Sequence, residues 1–434
     1  RLYANTSDLF QHEDALSITH VIAKQDGQRL LLADLQRMDA SSDPASVESQ
    51  RNQARLPLLL HPNPRSVLFL GLGTGVSASS SLAYPEIQRT AVEISNGAID
   101  AADRWFKPVN HNVLDRTIVI RDDARRFVKT DPGHYDVIVG DLFHPDFVGR
   151  SALLSRQQFQ RVKERLSDQG IFVQWIALNQ FEIQSLEIIF RTFQQVFPDA
   201  VIFVDAFRVA LVGFNGALAK LEDIQRNLDS LSSDGKKLML GGENKFSWLG
   251  RYWGKINVSK SGRIQDEWAP QIEFRLPAAR YNGELDLAKL LNYMLQHRPH
   301  VSVAAKELNI DSSNYAAFER AYIATDLAHR SWLALLRNNS QEGQRLLKLA
   351  FQANPNDRWI SYAVADATLA NYEASQAEGV SEKSVLESVL KIRPDHAEAL
   401  KRLWQLAEAE GNAEAAQLYK KRFAELSPLD ALLR

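Results

Sequence analysis

The chain of 434 residues contains no cysteine. Disulfides, thiolate metal sites and a cysteine nucleophile are therefore excluded, although the absence names no cellular compartment. No apolar run approaches the ~18 residues of a membrane-spanning helix, and no signal-peptide pattern is visible. Charge of one sign is also missing: 51 Lys and Arg stand against 53 Asp and Glu, a net of −2. That balance gives no electrostatic argument for nucleic acid or for an anionic membrane. H-E-x-x-H, P-loop and G-x-S-x-G motifs do not occur, and His297 and His300 are too isolated to make a metal site, so no metal is expected. With 45% hydrophobic and 24% charged residues the chain can build large cores in two or three domains. It begins at Arg1 rather than Met, which leaves room for upstream sequence, membrane segments included.

What is there begins with Ser66-Val-Leu-Phe-Leu-Gly-Leu-Gly-Thr-Gly75, followed by Ala91-Val-Glu93. An apolar run breaking into alternating glycines reads as a buried strand ending in a tight turn, with a helix opening at Val76-Ser77-Ala78. Gly71, Gly73 and Gly75 form G-x-G-x-G, whereas the dinucleotide fingerprint wants its third glycine at position 76, which is Val. The spacing favours the nucleoside turn of an S-adenosylmethionine-type fold. An acid after the second strand, Glu93, can then hold two ribose hydroxyls. The plainer reading is a glycine turn that only lets helix and sheet approach.

Residues 1–60 carry the alternating runs Leu16–Ile22 and Gln28–Ala33 around an Asp26-Gly27 hairpin signal, then a helix over Ala45–Leu60. Residues 61–213 alternate strand and helix, with strands at Val67–Leu70, Thr90–Val92, Ile118–Ile120, Val137–Val139, Ile171–Val173, Val201–Val204 and Val209–Val212. This predicts an α/β fold with a doubly wound sheet, whose ligands sit beyond the carboxyl ends of the strands. Gly71–Gly75, Glu93, Asp122-Asp123, Asp141 and Gln174 all fall just past those ends. Residues 214–298 read as an irregular α extension with a polar break at Ser230–Lys237, and the aromatics of Lys245–Ile256 read as local core. Residues 299–434 read as an α-helical, tetratricopeptide-like domain. Pro394 and Pro428 are 34 residues apart, and Ala399, Leu403, Leu406, Gly411, Ala415-Ala416, Tyr419 and Phe423 occupy the positions such a repeat wants small or apolar. The preceding unit, from Pro355, is 39 residues long and reads as a repeat with an insertion near Gly379. Stacked repeats commonly offer a concave face to a protein partner, while a simple helical cap fits the same pattern.

Residues 13–213 resemble the spermidine/spermine synthase (polyamine aminopropyltransferase) family. The likeness runs through Leu56-Pro-Leu-Leu-Leu-His-Pro-Asn-Pro64, the glycine turn, Val92-Glu93, Asp123-Ala-Arg-Arg-Phe127, Tyr135-Asp-Val-Ile-Val-Gly-Asp141 and Ser155-Arg-Gln-Gln-Phe159. His111–Leu114, Asp141–Pro145, Val173–Trp175 and Asp266–Phe274 are similar to a bacterial branch whose domain is fused to transmembrane helices. The resemblance implies a cytoplasmic transferase, membrane-tethered in any longer precursor, of AdoMet-transferase-type fold with a small N-terminal β-sheet. Its co-substrate would be decarboxylated S-adenosylmethionine, or S-adenosylmethionine itself, and its partner a small-molecule amine acceptor; a homodimer is compatible and nucleic acid is not expected. By resemblance Gly71, Gly73 and Gly75 cradle the nucleoside, Glu93 takes the ribose, and Asp123 with the backbone at Ala124 takes the adenine. Asp141 helps deprotonate the attacking amine, with His144 and Gln174 on the substrate side. For Asp123 and Asp141 the alternative is capping of the following turn. His144 reads as a proton shuttle or, ahead of that, as a turn residue before Pro145.

The chain also departs from the family pattern. The usual acid of the nucleotide turn is Thr74, the second acid of the following loop is His144, and a tyrosine–x–glutamate pair is replaced by Ser49-Gln50-Arg51. The nucleotide half of the site is thus intact and the polyamine half eroded. Aminopropyl transfer, methyl transfer and a non-catalytic nucleoside-binding scaffold all stay open.

Overall fold

The computed structural model of the chain describes residues 5–15, 17–375 and 380–433. The predicted start of the first run at Leu16 and the insertion near Gly379 lie outside the described residues. The N-terminal part is a four-stranded antiparallel meander: β1 (Thr6–Glu13), β2 (Ile18–Lys24), β3 (Arg29–Ala33) and β4 (Gln36–Ser41). Gly27 turns β2 into β3 at a φ of +85°, which the missing side chain permits. The helix Pro44–Leu60 follows, entered through the Asp43 cap and a proline in its first turn.

The central sheet has eight strands: β5 (Ser66–Leu70), β6 (Gln88–Glu93), β7 (Ile118–Arg121), β8 (Tyr135–Gly140), β9 (Leu166–Ala177), β10 (Val201–Asp205), β11 (Arg208–Phe214) and β12 (Tyr252–Lys255). Their spatial order is β12-β10-β11-β9-β8-β5-β6-β7. Strands β5 to β9 pair in parallel, and β10, β11 and β12 close the other end with antiparallel pairs, so the sheet is mixed. Val67, Leu68, Val137, Ile138 and Val173 are fully buried, as expected of strands covered on both faces. The order reverses at β5, which has β6 on one side and β8 on the other. A crevice opens there at the carboxyl edge.

Two elements differ from expectation. The helix after the glycine turn is a single turn, Val76–Ser79, passing into a 3-10 turn at Ser80–Ala83. The hydroxyls of Ser79 and Ser81 donate to the carbonyls of Val76 and Ala78 at 2.6 Å, competing with helical bonds, and Pro85 closes the run. The segment 214–298 holds helices but also supplies β12, and the polar stretch at 230–237 is largely taken up by the helix Ser233–Leu240. Trp248, Tyr252 and Trp253 of that segment are buried. The remainder is helical, from Val301–Glu307 through Ser312–Leu336, Ser340–Ala353, Arg358–Ser375, Glu382–Ile392 and Ala397–Ala409 to Ala413–Leu426. Ala399 and Leu403 share one core with Ala365, Leu386 and Val389; Ala416 and Phe423 share another with Leu400 and Trp404. No helix among the described residues is long and apolar enough to cross a membrane.

Candidate functional site

A cavity of about 490 Å³ occupies the crevice where the strand order reverses. Gly71, Gly73, Glu93, Asp123, Ala124 and Asp141 all line it. They arrive from the ends of β5, β6, β7 and β8, because each parallel strand delivers its next residue to the same edge. Gly71 and Gly73 have φ of +113° and +54°, and a β-carbon on either would meet nothing within 4 Å, so their bare backbone faces open space. Gly75 does not line the cavity. A β-carbon there would press on Asn110 and Leu114, so this glycine, at φ +75°, serves the packing behind the turn.

Glu93 accepts from the backbone N–H of Leu72 at 2.9 Å and Gly73 at 3.3 Å through Oε2, and from Ser95 N–H at 3.0 Å through Oε1. The acid thus fixes the glycine turn while leaving lone pairs toward the cavity. Asp123 caps the helix Ala124–Thr130 through Arg125 N–H at 2.8 Å and pairs with the Arg125 guanidinium at 2.7 Å. Burial raises its pKa, but the hydrogen bonds from Arg125 outweigh that and hold it below the usual carboxylate range. The capping role weighed for this residue is therefore real, in a side chain that also lines the cavity. Asp141 accepts from Leu142 N–H at 2.7 Å and from the Ser77 hydroxyl at 3.1 Å.

Two predicted substrate-side residues sit elsewhere. His144 is outside the cavity wall, its ring stacked on Phe147 with centroids 5.3 Å apart and 3.9 Å from Asp146. Gln174 is buried, and its amide donates to the carbonyls of Trp175 at 3.0 Å and Asp141 at 3.3 Å. It lies over Gly140, where any β-carbon would strike it, and so positions the Asp141 backbone from behind. Of the departures from the family pattern, Thr74 lines the cavity and donates to Gln50 Oε1 at 2.7 Å. Arg51 does not line it; the guanidinium pairs with Glu48 at 2.8 Å.

The residues missed in the sequence are Gln50 and Gln53, brought in by the helix Pro44–Leu60, together with Ser77, Arg125 and Arg150. Gln53 is 1% exposed, and its Oε1 has no hydrogen-bond partner among the described residues. Its helix also buries Gln50, Asn52 and Arg55, so polar residues surround it and no clean apolar stripe marks which face meets a ligand. Among the described residues, no cluster of His, Asp or Glu could hold a metal ion.

A spermine/spermidine synthase domain matches residues 49–220. The polyamine aminopropyltransferase of Pyrococcus abyssi is 30% identical over 196 residues, 42% of this chain and 67% of its own length. The chain belongs to the polyamine aminopropyltransferase family. Polyamine aminopropyltransferase 1 of Aquifex aeolicus is 30% identical over 148 residues, 33% of this chain and 52% of that protein. The chain spans about half the length of the first of these curated relatives. The spermidine synthase structure from Thermotoga maritima overlays at 17% identity with a TM-score of 0.43, covering 54% of this chain and 87% of that one. The family match covers the glycine turn, Glu93, Asp123 and Asp141, and stops before the helical C-terminal region.

Proposed function

We propose that the chain transfers an aminopropyl group from decarboxylated S-adenosylmethionine to an amine. The observation that carries this reading is the meeting of the bare glycine backbone, Glu93, Asp123 and Asp141 in one cavity of a chain of this family. In it, Glu93 and the Gly71–Gly73 backbone hold the ribose and thioether end, and Asp123 with Ala124 faces the base. The attacking amine must first lose a proton, since an ammonium with a pKa near ~10 carries no lone pair. Asp141 receives that proton or orders the water that does. The nitrogen then bonds to the carbon beside the sulfonium, the carbon–sulfur bond breaks onto sulfur, and methylthioadenosine leaves. Because the sulfonium is already a good leaving group, alignment and exclusion of water supply most of the rest.

The acceptor half of the site is eroded in this reading. Thr74, a neutral hydroxyl tied to Gln50, stands where the family has the acid that takes the donor's amino group, so that contact to the donor is lost. The same residue favours a second reading, methyl transfer from S-adenosylmethionine, because an aspartate would repel the donor carboxylate and a threonine does not. The helical region, read as tetratricopeptide-like, would offer a surface to a protein partner. Calorimetry with S-adenosylmethionine, its decarboxylated form and methylthioadenosine, followed by mass spectrometry of products with a panel of amines, tests these readings. Tight binding of the decarboxylated donor, with an amine product heavier by the net C3H7N of an aminopropyl group, about 57 Da, supports aminopropyl transfer. Preference for S-adenosylmethionine with methylated products would replace it.

A further inference from the structure

The stretch Asp266–Phe274 lies beyond the family domain, which ends at residue 220, and the transferase reading gives it no task. Together with the helix Ile272–Tyr281 that it leads into, it is fastened to the loop 141–155, between β8 and the helix Arg156–Glu164. That loop is also a wall of the cavity, which Leu142, Phe143, Val148, Gly149, Arg150 and Leu153 all line. The tip of the loop has little apolar packing of its own. Val148 is 93% exposed, and Gly149, at φ +77°, has no side chain to bury.

Polar contacts from outside hold the tip instead. Glu273 Oε2 accepts from the Gly149 N–H at 2.9 Å and from the Ser151 hydroxyl at 3.0 Å. Gln265 is fully buried; its Nε2 donates to the Ser151 carbonyl at 3.1 Å, and its Oε1 accepts from the N–H groups of Gln271 at 2.9 Å and Ile272 at 3.1 Å. One buried amide thus joins the start of the helix to the loop. Before the tip, Arg280 donates to buried Asp146 at 2.5 Å. The stretch is itself tied down, since Asp266 accepts from Gln157 at 2.8 Å and Glu267 from Arg161 at 2.9 Å. Toward the N-terminal meander the loop makes a weaker contact, Arg150 lying 3.8 Å from Asp34 with both side chains part-exposed. The loop is therefore anchored firmly on its Glu273 side and lightly at the mouth of the cavity.

We propose that Glu273 is a positioning residue for the aminopropyl transfer proposed above, on which this rests: through Gly149 and Ser151 it holds the loop 141–155 as a wall of the cavity. An ordered wall keeps water from the reacting carbon and removes the need to order the loop when ligands bind. Trypsin cleaves after arginine, and Arg150 at the tip gives a readout that needs no turnover. In Glu273→Ala, cleavage after Arg150 should be at least about tenfold faster, because two hydrogen bonds to a charged group no longer oppose local opening. Cuts elsewhere should keep their rates, whereas a general loss of stability would speed them all. Methylthioadenosine affinity of the same variant should fall at least about fivefold, and the KM of the amine should rise. Glu273→Gln, whose carbonyl oxygen still accepts from Gly149 and Ser151, should restore most of each. Unchanged cleavage after Arg150 in Glu273→Ala, or faster cleavage with affinity and KM both unchanged, would overturn the proposal. Failure of the wild type to give an aminopropylated product with any amine would overturn the transfer reading instead, and cleavage and methylthioadenosine affinity would still decide whether Glu273 holds the wall.

Discussion

Glu93 does two jobs at once, since its oxygens hold the N–H groups of Leu72, Gly73 and Ser95 while the side chain lines the cavity beside the glycine turn. Replacing it by alanine should lose most methylthioadenosine binding. A charge-assisted hydrogen bond is worth about 1.5–3 kcal/mol, so one lost contact already weakens binding more than about tenfold. Calorimetry checks this, and Glu93→Gln, which still accepts from the turn, should keep part of the affinity; unchanged affinity in Glu93→Ala would place the ribose elsewhere. A second residue-scale prediction concerns pH. His329 is enclosed by Trp253 and Trp359, near Arg298 and Asp326, and burial pushes its pKa down from 6.5 to about 4. The unfolded chain therefore binds this proton first, so the stability His329 contributes is full above pH 6.5 and is lost as pH falls toward 4. The full effect is at most about 3 kcal/mol. Burial and Arg51 push His111 to about 4 as well, while burial lifts Glu243 to about 7 and works in the opposite sense over part of this range. Denaturant unfolding of wild type and His329→Gln between pH 7 and 4 isolates the histidine: the variant should lose less stability on acidification.

At the scale of elements, the N-terminal meander packs closely against the helix that follows Glu93. Gly97, in the helix Asn96–Arg104, lies against Thr19 of β2, whose hydroxyl is 3.0 Å from that of Ser95. A β-carbon at position 97 would stand 2.6 Å from Thr19 Cβ. Gly97→Ala should therefore cost about 1–3 kcal/mol through overpacking and should also weaken methylthioadenosine binding, because Thr19 and Ser95 line the cavity. Thermal unfolding and calorimetry on the same variant measure both. If stability falls and affinity does not, the meander supports the fold without shaping the site.

Across the whole molecule, buried charge joins the helical region to the sheet. Arg251, just before β12, faces Glu243 at 2.5 Å, Asp357 at 3.4 Å and Asp205 at 3.5 Å, so one guanidinium links three segments far apart in the chain. Removing one partner of such a buried cluster leaves charges unpaired, and Arg251→Met should destabilise the protein by about 3–5 kcal/mol. The far end is tied down too. Ala431 N–H donates to the Asp26 carbonyl at 2.8 Å, and a β-carbon at Gly27 would stand 2.7 Å from Ala431 nitrogen. An open linker at 230–240 would let limited proteolysis free the helical region intact. That stretch is instead mostly helix, and the region it precedes is locked to the sheet through Arg251 and to the β2–β3 hairpin through Ala431. Proteolysis should give no such fragment, and unfolding followed by tryptophan fluorescence and by far-ultraviolet dichroism should coincide in one transition.

Local pattern determined a good deal here. The strands from β5 to β11, the Asp26-Gly27 hairpin, the helix Pro44–Leu60 and the helices of the C-terminal region follow from apolar periodicity and from glycine and proline punctuation, which act over a few residues. The position of Gly71, Gly73, Glu93, Asp123 and Asp141 at strand ends was legible for the same reason, since parallel strands send their next residues to a common edge. Only the tertiary structure decided that Gly75 serves packing, that Gln174 supports Asp141 from behind, and that His144 and Arg51 stand off the cavity. It alone brought Gln53 to the cavity and joined Arg251 to Asp357. These contacts span long stretches of chain, and a polar side chain's partner depends on which remote element packs against it, which no local period encodes.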